Sequence, residues 1–470
     1  MDTADEIEKT KDVETLLGDP KKAILAIAVP TTVALVAQSA QSLIDAMWVS
    51  GLGTDALAAV GIFFPLFFTI LGVSTGVGIG AASAISKRVG AGNKAEADRT
   101  AAHAMIIALI GGAVTTLLIL LFLEPLLHAM GAGASETTIR YCREFALPIV
   151  IFSFVFMLTG VLSNALRSEG AAKRSMYVLV MAAVVNLILD PFFIYDYGLG
   201  WGMMGAAVAT IIAESTSMTI MLYWYFIKKD LYLRFNFKGF KFDFSIVKDI
   251  FRVGIPAAFQ MVIISVVSVF MNLLLLTTGG DDGVAIYSSD WRILSVLMIP
   301  MMGISIGIVP VCAAAFGARR FDKVKTAYRY ALKISILSMI VIGAATVILA
   351  PQMVYVFTYD PATEYLRGGM AQFLRIAALM LPFMAMGTMA ESLFQSLGMG
   401  LKSLTSTIFR NFLMIPICYL AMIMTTGFTY IWWGVTLSEV VASSSIIIWS
   451  FFVLRILMKE FDYEKKLAKA

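Results

Sequence analysis

The sequence predicts an all-α polytopic membrane protein with about twelve transmembrane helices, arranged as two parallel repeats of six. Two observations lead to this fold class. Hydrophobic residues make up 59% of the 470 residues and charged residues only 14%, whereas a soluble domain has about 25% charged residues. The sequence also repeats itself, because a spaced set of glycine and proline residues recurs between 225 and 229 positions later. One ancestral half has therefore been duplicated.

Twelve apolar segments are long enough to cross a bilayer, which takes about 20 helical residues at about 1.5 Å per residue. They lie near residues 23–50, 57–86, 99–124, 137–166, 174–196, 203–228, 247–277, 284–316, 325–350, 364–398, 402–425 and 430–457. We therefore predict six spans in each half.

The repeat is clearest at glycine and proline positions. The matched pairs are Val29 and Ile255, Pro30 and Pro256, Gly76 and Gly303, Gly80 and Gly307, Gly90 and Gly317, Ala91 and Ala318, Pro125 and Pro351, Asn186 and Asn411, Pro191 and Pro416, and Gly205 and Gly434. The halves differ where chemistry would be, since Asp190 is matched by Ile415. On the second span, Gly72, Gly76 and Gly80 form a small-residue face that favours close helix packing.

Lysine and arginine collect in alternate loops. The basic loops follow spans two, four, six and eight, at residues 87–99, 167–174, 228–248 and 319–325. By the positive-inside rule both termini are expected to be cytoplasmic. An even number of spans per half then places both halves in the same direction across the membrane.

These patterns predict five regions along the chain. The expected regions are a cytoplasmic tail at 1–20, a first lobe with six spans at 21–228, a cytoplasmic linker at 229–246, a second lobe with six spans at 247–458 and a cytoplasmic tail at 459–470. The linker is basic and aromatic, which favours contact with an anionic inner leaflet.

Several classes of protein are excluded or disfavoured by what the spans contain. Cys142, Cys312 and Cys418 are isolated and are interpreted as apolar packing residues. The two histidines, His103 and His128, cannot build a zinc site, and the chain has no phosphate-binding loop. We therefore expect neither an enzyme nor a cofactor. The net charge of +4 reflects membrane topology, so no nucleic-acid partner is expected.

Four polar residues of the first half are predicted to share one depth in the membrane. Asp45, Asp190 and Thr210 each lie seven or eight residues, about 12 Å of helix, from the outer surface. Asn186 lies one turn from Asp190 on the same helix face. Intramembrane carboxylates mark functional sites, and these oxygen atoms suit a proton or a sodium ion. The alternative is that each acid caps a loop or pairs with a polar neighbour.

Other intramembrane polar residues are secondary candidates. They are Tyr141, Glu214, Gln260, Asp290, Glu391 and Glu439. Glu214 lies one turn from Thr210 and could extend the first-half site. Asp290 could pair with Arg375, whereas a structural pairing is the favoured interpretation of Glu391. Glu439 is the second-half counterpart of Thr210. Tyr141 could contact a cation or substrate, or could anchor at the interface.

Long motifs in the chain resemble the multidrug and toxic compound extrusion (MATE) transporters. The motifs are VPTTVALVAQSAQSLIDAMWVSGLG, GVGIGAASAISKRVGAGN, LSNALRSEG and NLILDPFFIYDYGLGWGMMGAAVAT. The resemblance covers nearly the whole chain. It implies a V-shaped pair of lobes that open alternately to either side and export small cationic or amphipathic organic compounds. Inward movement of protons or sodium ions would supply the energy, with Asp45 and Asp190 as the coupling acids and Asn186, Thr210 and Tyr141 around them.

The second half departs from one branch of that family, which carries an acid on the seventh span. Here the matching stretch reads GIPAAFQMVIIS, and Gln260 is its nearest polar residue. The chain therefore resembles the DinF-like branch, whose coupling site is in the first lobe. A multi-pass protein of a prokaryotic plasma membrane, acting as a monomer, is expected.

Two rival functions remain open at this stage. A flippase for lipids or lipid-linked oligosaccharides has a similar duplicated plan, but it would need a cationic cavity open to lipid. A membrane enzyme would need a nucleophile with a base or a metal cluster within the spans. The intramembrane acids favour a cation route over the flippase, and the two separated histidines without such a cluster argue against the enzyme.

Overall fold

The computed structural model describes residues 10–235, 237, 240–359, 361, 363–424 and 429–467, and these residues form helices and connecting loops without a β-strand. The α-helices of this part of the chain are α1 Lys11–Leu17, α2 Pro20–Ser50, α3 Thr54–Gly90, α4 Lys94–Met130, α5 Glu136–Ile151, α6 Ser153–Ser168, α7 Ala172–Ile194, α8 Gly202–Leu222, α9 Phe244–Leu297, α10 Ile299–Gly317, α11 Phe321–Tyr355, α12 Arg367–Ala378, α13 Leu381–Ser396, α14 Gly400–Met424 and α15 Thr429–Leu467. A short π-helix, Tyr223–Lys228, extends α8, and a 3-10 helix, Glu364–Leu366, precedes α12.

Ten of the described helices are long and apolar enough to cross a membrane individually. Two further spans are bent pairs, α5 with α6 at 52° and α12 with α13 at 50°. Counting each pair as one span gives twelve, as predicted from the sequence. The two bends occupy the same place in the two repeats, which is what a duplication of one half would produce.

The segment α9 consists of two helices that meet at a kink, and the boundary between the seventh and eighth spans lies at this kink. Its backbone leaves the helical region at Gly280, where φ is 59° and ψ is −151°. A positive φ of this kind is readily adopted only by glycine. The eighth span therefore begins after Gly280 and continues through α10, with a second irregularity between Leu297 and Ile299.

The two lobes meet at the end of the molecule that carries the basic loops. There α3 of the first lobe packs on α9, and α10 of the second lobe packs on α2 and α3. A large apolar core combines both lobes, and its members at this end include Ile85 and Ile308. A second core, which includes Phe63 and Leu127, belongs to the opposite end of the first lobe alone. The lobes are thus joined at one end and separate towards the other, as in a V.

Glycines at the contact between the lobes allow the helix backbones to pack directly against each other. A Cβ on Gly90 would collide with the carbonyl oxygen of Ala314, and a Cβ on Gly317 would collide with that of Lys87. These two glycines are repeat equivalents, so the contact is reciprocal. Gly76 likewise faces Gly254 at the α3–α9 crossing. The close helix packing predicted for the small-residue face of span two is therefore confirmed.

Helix α1 lies within the segment predicted as an N-terminal tail and packs against the protein. Val13 and Leu16 are buried on its inner face. The Lys323 ammonium of the second lobe donates to the carbonyl oxygens of Leu17 and Gly18, at 2.6 and 2.7 Å. These carbonyls lie just past the end of α1, where helix backbones leave acceptors without partners. The N-terminal segment is therefore attached to the basic-loop end.

The linker between the lobes is fastened to the first lobe. The Leu233 amide donates to the Glu169 carboxylate at 2.8 Å, the Arg234 amide donates to Asp98 at 2.8 Å, and the Asp243 amide donates to the His103 ring at 2.9 Å. Among its aromatic side chains, Tyr232 and Phe235 are buried at 6% and 7% exposure. These two rings fill the first lobe's own surface, whereas Phe237 is 41% exposed. Contact of the linker with the lipid leaflet stays a prediction.

The burial of Glu169 predicts that docking of this linker depends on pH. Burial raises the pKa of Glu169 from 4.5 to about 8, so the docked state holds a proton that an undocked linker would release. Docking is therefore favoured at low pH and should weaken progressively as pH rises from about 4.5 to about 8. We expect the amide protons of residues 231–235 to exchange faster, relative to those of α4, at pH 8 than at pH 6.

Glu169→Gln is the matched variant for this experiment, because its amide is neutral at every pH. Hydrogen exchange of the variant should show no pH-dependent change beyond the intrinsic chemistry of exchange. An identical pH response in the wild type and the variant would show that Glu169 does not control docking.

A cluster of aromatic rings lies in the apolar core of the second lobe. Trp432 is fully buried and lies 4.4 Å from Phe373 and 6.2 Å from Tyr287, measured between ring centroids. Trp432→Ala should destabilise the lobe by about 3 kcal/mol, since removing a buried tryptophan leaves a cavity. Thermal unfolding in detergent would measure this as a lower Tm. The neighbouring Trp433→Ala, at 51% exposure, should have little effect, and equal losses would contradict the prediction.

Candidate functional site

The polar residues predicted to share one depth in the first lobe lie together between α2, α7 and α8. The Asn186 side-chain amide donates to the Asp190 carboxylate at 2.9 Å and reaches the Thr210 hydroxyl at 3.5 Å. Its carbonyl oxygen accepts a hydrogen bond from Gln41 on α2 at 2.6 Å. Asn186 is fully buried and Asp190 is 2% exposed. We call Asp45, Asn186, Asp190 and Thr210 the first-lobe cluster.

Asp45 completes this cluster from α2. Its carboxyl group lies beside the carboxyl group of Asp190 and the amide of Gln41. One of its oxygens, Oδ1, is buried and has no hydrogen-bond partner in the described residues. Two carboxyl groups in contact cannot both stay ionised at low energy, so they favour a shared proton or a bound cation. Asp45 is the more exposed of the two acids.

The sequence explains the local geometry of the cluster. Asn186 and Asp190 are four residues apart on α7, so their side chains lie on one face of the helix. Pro191 follows at once and has no amide hydrogen, yet α7 continues to Ile194. Gln41 and Asp45 are likewise one turn apart on α2. The same four residues of the cluster are the candidate ligands for Na⁺.

Two secondary candidates of the first lobe lie outside this hydrogen-bonded set. Glu214 is next to Thr159, whose hydroxyl reaches its backbone carbonyl at 3.4 Å. Tyr141 packs against the second apolar core, which includes Phe63. The Arg140 guanidinium lies 5.4 Å from the centroid of the Tyr141 ring. In the described part of the chain, no hydrogen bond joins either side chain to the first-lobe cluster.

A second polar cluster lies between α13, α14 and α15 of the second lobe. The Arg410 guanidinium lies between two carboxylates, 3.6 Å from Glu391 and 3.9 Å from Glu439. Thr407 donates to Glu391 at 3.0 Å, and Ser443 donates to Glu439 at 2.6 Å. We call Glu391, Arg410 and Glu439 the second-lobe cluster. The structural pairing favoured for Glu391 thus has Arg410 as its partner.

Gln260 connects α9 to this cluster. Its amide donates to Ser403 at 2.9 Å and to Thr407 at 2.8 Å, and its carbonyl accepts from Gln395 at 3.2 Å. Thr407 in turn donates to Glu391. A continuous polar network therefore crosses the interior of the second lobe from α9 to the charged residues.

Asp290 is fully buried, and neither of its carboxyl oxygens has a hydrogen-bond partner in the described residues. The expected pairing with Arg375 is wrong. Arg375 instead donates to the carbonyl oxygen of Val347 at 3.3 Å. The two residues belong to different helices, α9 and α12, and helix rotation turns the arginine towards α11.

Sequence reasoning missed Gln41 and Arg410. Gln41 is one turn from Asp45 on the same helix, which was the signal available for it. Arg410 stands directly before Asn411, the repeat equivalent of Asn186, and lies near the middle of an apolar span. An intramembrane arginine is as unusual as an intramembrane acid and marks a site in the same way.

The fold and both clusters can now be compared with known proteins. Residues 30–192 and 256–420 match the family model MatE, one match in each lobe. The chain belongs to the MATE family. Because members of this family are transporters, the MATE protein described here is a membrane transporter and not an enzyme.

Relatives and solved structures agree with this assignment. The FAD transporter of Shewanella oneidensis is 27% identical over 75% of this chain and 77% of its own length. The multidrug export protein MepA of Staphylococcus haemolyticus is 27% identical over 82% of this chain and 83% of its own. A solved MATE multidrug resistance transporter in an outward-facing conformation is 35% identical and superimposes with a TM-score of 0.92, covering 96% of this chain and 99% of that one.

Proposed function

We propose that this MATE protein exports small cationic or amphipathic organic compounds by antiport with a proton or a sodium ion. The observation that carries the proposal is the contact between the Asp45 and Asp190 carboxyl groups, which have no basic partner in the described part of the chain. Such a pair has a strong affinity for one positive charge. Relatives named as multidrug export proteins support organic compounds as substrates and do not favour a flippase.

The polar contacts favour a proton over a sodium ion. Asn186 turns its amide nitrogen towards Asp190 and Thr210, and its carbonyl oxygen already accepts from Gln41. A sodium ion that used this carbonyl oxygen as a ligand would have to share it with the Gln41 amide, because an amide nitrogen does not bind hard cations. A proton needs only the two carboxyl groups. We therefore infer that protonation of the Asp45–Asp190 pair is the coupling event.

Coupling follows if the two states of the pair prefer different shapes of the first lobe. The ionised pair carries charge and requires water or a cation beside Asp45, whereas the protonated pair can be enclosed. A substrate and a proton that favour different shapes compete without touching the same atoms. The lobes would then open alternately on the two sides of a prokaryotic plasma membrane, with both termini in the cytoplasm.

Uptake of rhodamine 123, a fluorescent organic cation, into everted vesicles tests this proposal. In one experiment the vesicles would carry a proton gradient with the lumen acidic. In a separate experiment they would carry a sodium gradient with the higher concentration in the lumen. We expect uptake with the proton gradient and none with the sodium gradient. Uptake with sodium alone would contradict the preference for a proton, and no uptake with either gradient would contradict antiport of this substrate class.

A further inference from the structure

Helix α1 lies across the junction between the two lobes and contacts both of them. On the second-lobe side α1 packs on α10, and the Lys323 ammonium of α11 donates to the carbonyl oxygens of Leu17 and Gly18 at 2.6 and 2.7 Å. On the first-lobe side the backbone of α1 packs on the loop between α6 and α7, because a Cβ on Gly170 would collide with the carbonyl oxygen of Asp12. One short helix therefore bridges the two lobes at the basic-loop end.

The covalent and non-covalent attachments of α1 to the first lobe indicate that it moves with that lobe. Only two residues separate α1 from α2. Leu16 is 4% exposed, and its Cβ faces Gly170. Lys173 and Arg174, at the start of α7, attract the Asp12 carboxylate. When the lobes separate, we therefore expect α1 to stay with the first lobe and to part from Lys323.

The hydrogen bonds from Lys323 can form and break without leaving a buried group unsatisfied. The two carbonyl oxygens lie at the end of α1, where helix backbones leave acceptors without partners, and Gly18 is exposed. Water can therefore hydrate these carbonyls and the ammonium once the lobes part. While the hydrogen bonds last, their charged donor makes them stronger than bonds between neutral groups. They stabilise the state that contains them.

The junction beneath α1 contains open space. A crevice of about 690 Å³ lies there, and residues 16–18 at the end of α1 line one part of it. Gly90 and Ala91 of the first lobe line another part, and residues between 311 and 323 of the second lobe line the rest. Because the lobes are not in continuous contact at this place, the hydrogen bonds of Lys323 contribute to holding them together.

We propose that α1 is a strap that holds the lobes together at the basic-loop end, with Lys323 as its point of attachment on the second lobe. The strap stabilises the conformation that is closed at this end, and it has to release Lys323 before the lobes can open there. It thereby sets the ratio of the closed to the open conformation. This inference rests on the alternate opening of the lobes in the proposed function, and not on the coupling ion or the substrate.

The distance between the lobes in the purified full-length protein, measured without substrate, tests the strap. Spin labels at the exposed positions Ala95 of the first lobe and Thr326 of the second would report it by double electron–electron resonance. Lys323→Met removes the hydrogen-bond donor and nearly keeps the length of the side chain. We expect the ratio of the closed to the open conformation to fall by about tenfold or more, as for loss of charge-assisted hydrogen bonds.

Lys325→Met is the matched control for charge. Lys325 lies on the same helix α11, and no hydrogen bond of the described residues joins it to α1, so the distances should stay as in the wild type. Leu16→Asn loosens the strap from the other side, because it places a polar group at a buried position. It should also populate the longer distances, whereas Thr15→Asn, at an exposed position of the same helix, should not.

Unchanged distances in Lys323→Met would overturn the proposal. Equal shifts in Lys323→Met and Lys325→Met would overturn it as well, because they would assign the effect to lost charge and not to the contact with α1. Gradient-driven uptake of rhodamine 123 by the wild type tests the export function separately. Absence of that uptake would contradict the export function, while the distances would still decide whether α1 is a strap.

Discussion

Asp190→Asn is expected to abolish gradient-driven export while leaving the protein folded and inserted. The asparagine side chain has nearly the same shape and can keep an interaction with Asn186, so packing between α2, α7 and α8 should persist. It cannot bind the coupling proton, and it leaves Asp45 as a lone acid. Rhodamine 123 uptake into everted vesicles should fall to the level of vesicles without the protein, and size-exclusion chromatography should show an unchanged profile.

Asp196→Asn provides the matched control, because Asp196 is an exposed acid just beyond the end of α7. It removes the same charge without touching the first-lobe cluster and should transport normally. Binding of rhodamine 123 at equilibrium separates coupling from recognition, and Asp190→Asn should retain it. Normal uptake by Asp190→Asn would show that the acid pair is not the coupling site.

Gly90→Leu is expected to stop transport by a different route, since it prevents the lobes from closing at the basic-loop end. Any Cβ at this position collides with the Ala314 carbonyl, and a leucine adds three further carbons. Backbone atoms cannot move aside as a flexible side chain can, so α3 and α10 must separate. The conformation closed at this end should be depopulated, because overpacking of a contact destabilises the state that contains it.

Gly61→Leu is the matched control for this substitution. Gly61 lies on the same helix α3, and a Cβ there meets nothing within 4 Å. Spin labels at the exposed positions Ala95 and Asp322 would report the separation of the two lobes. We expect a longer distance and lost uptake in Gly90→Leu, with wild-type behaviour in Gly61→Leu. An unchanged distance distribution in Gly90→Leu would rule out this explanation.

The sequence predicts the contacts of this molecule best where they are local. Asn186 and Asp190 share a helix face because of their spacing. Asp45 and Thr210 come to the same level because helix rise fixes depth when a loop is near. Neither the spacing along a helix nor the depth in the membrane predicts how one helix is rotated about its own axis relative to its neighbours. That rotation decides which side chain meets which across a gap.

The errors follow from this limit. Asp290 and Arg375 were paired because both are charged and intramembrane, yet their helices turn them apart. Arg410, Glu391 and Glu439 lie on three different helices. The spacing of residues within one helix cannot predict a contact between them. Burial of Tyr232 and Phe235 of the linker against the first lobe was also not predicted, because composition alone cannot distinguish an apolar protein surface from an apolar membrane surface.

The fastening of the linker has a mechanical consequence. Its amides are bound by Glu169, Asp98 and His103 of the first lobe, and the last of these bonds lies at Asp243, the residue that caps α9. The linker is therefore held on the first lobe up to Asp243, and the chain enters the second lobe directly at the first turn of α9. A change in the angle between the lobes would therefore have to keep the first turn of α9 close to the first lobe, at the basic-loop end.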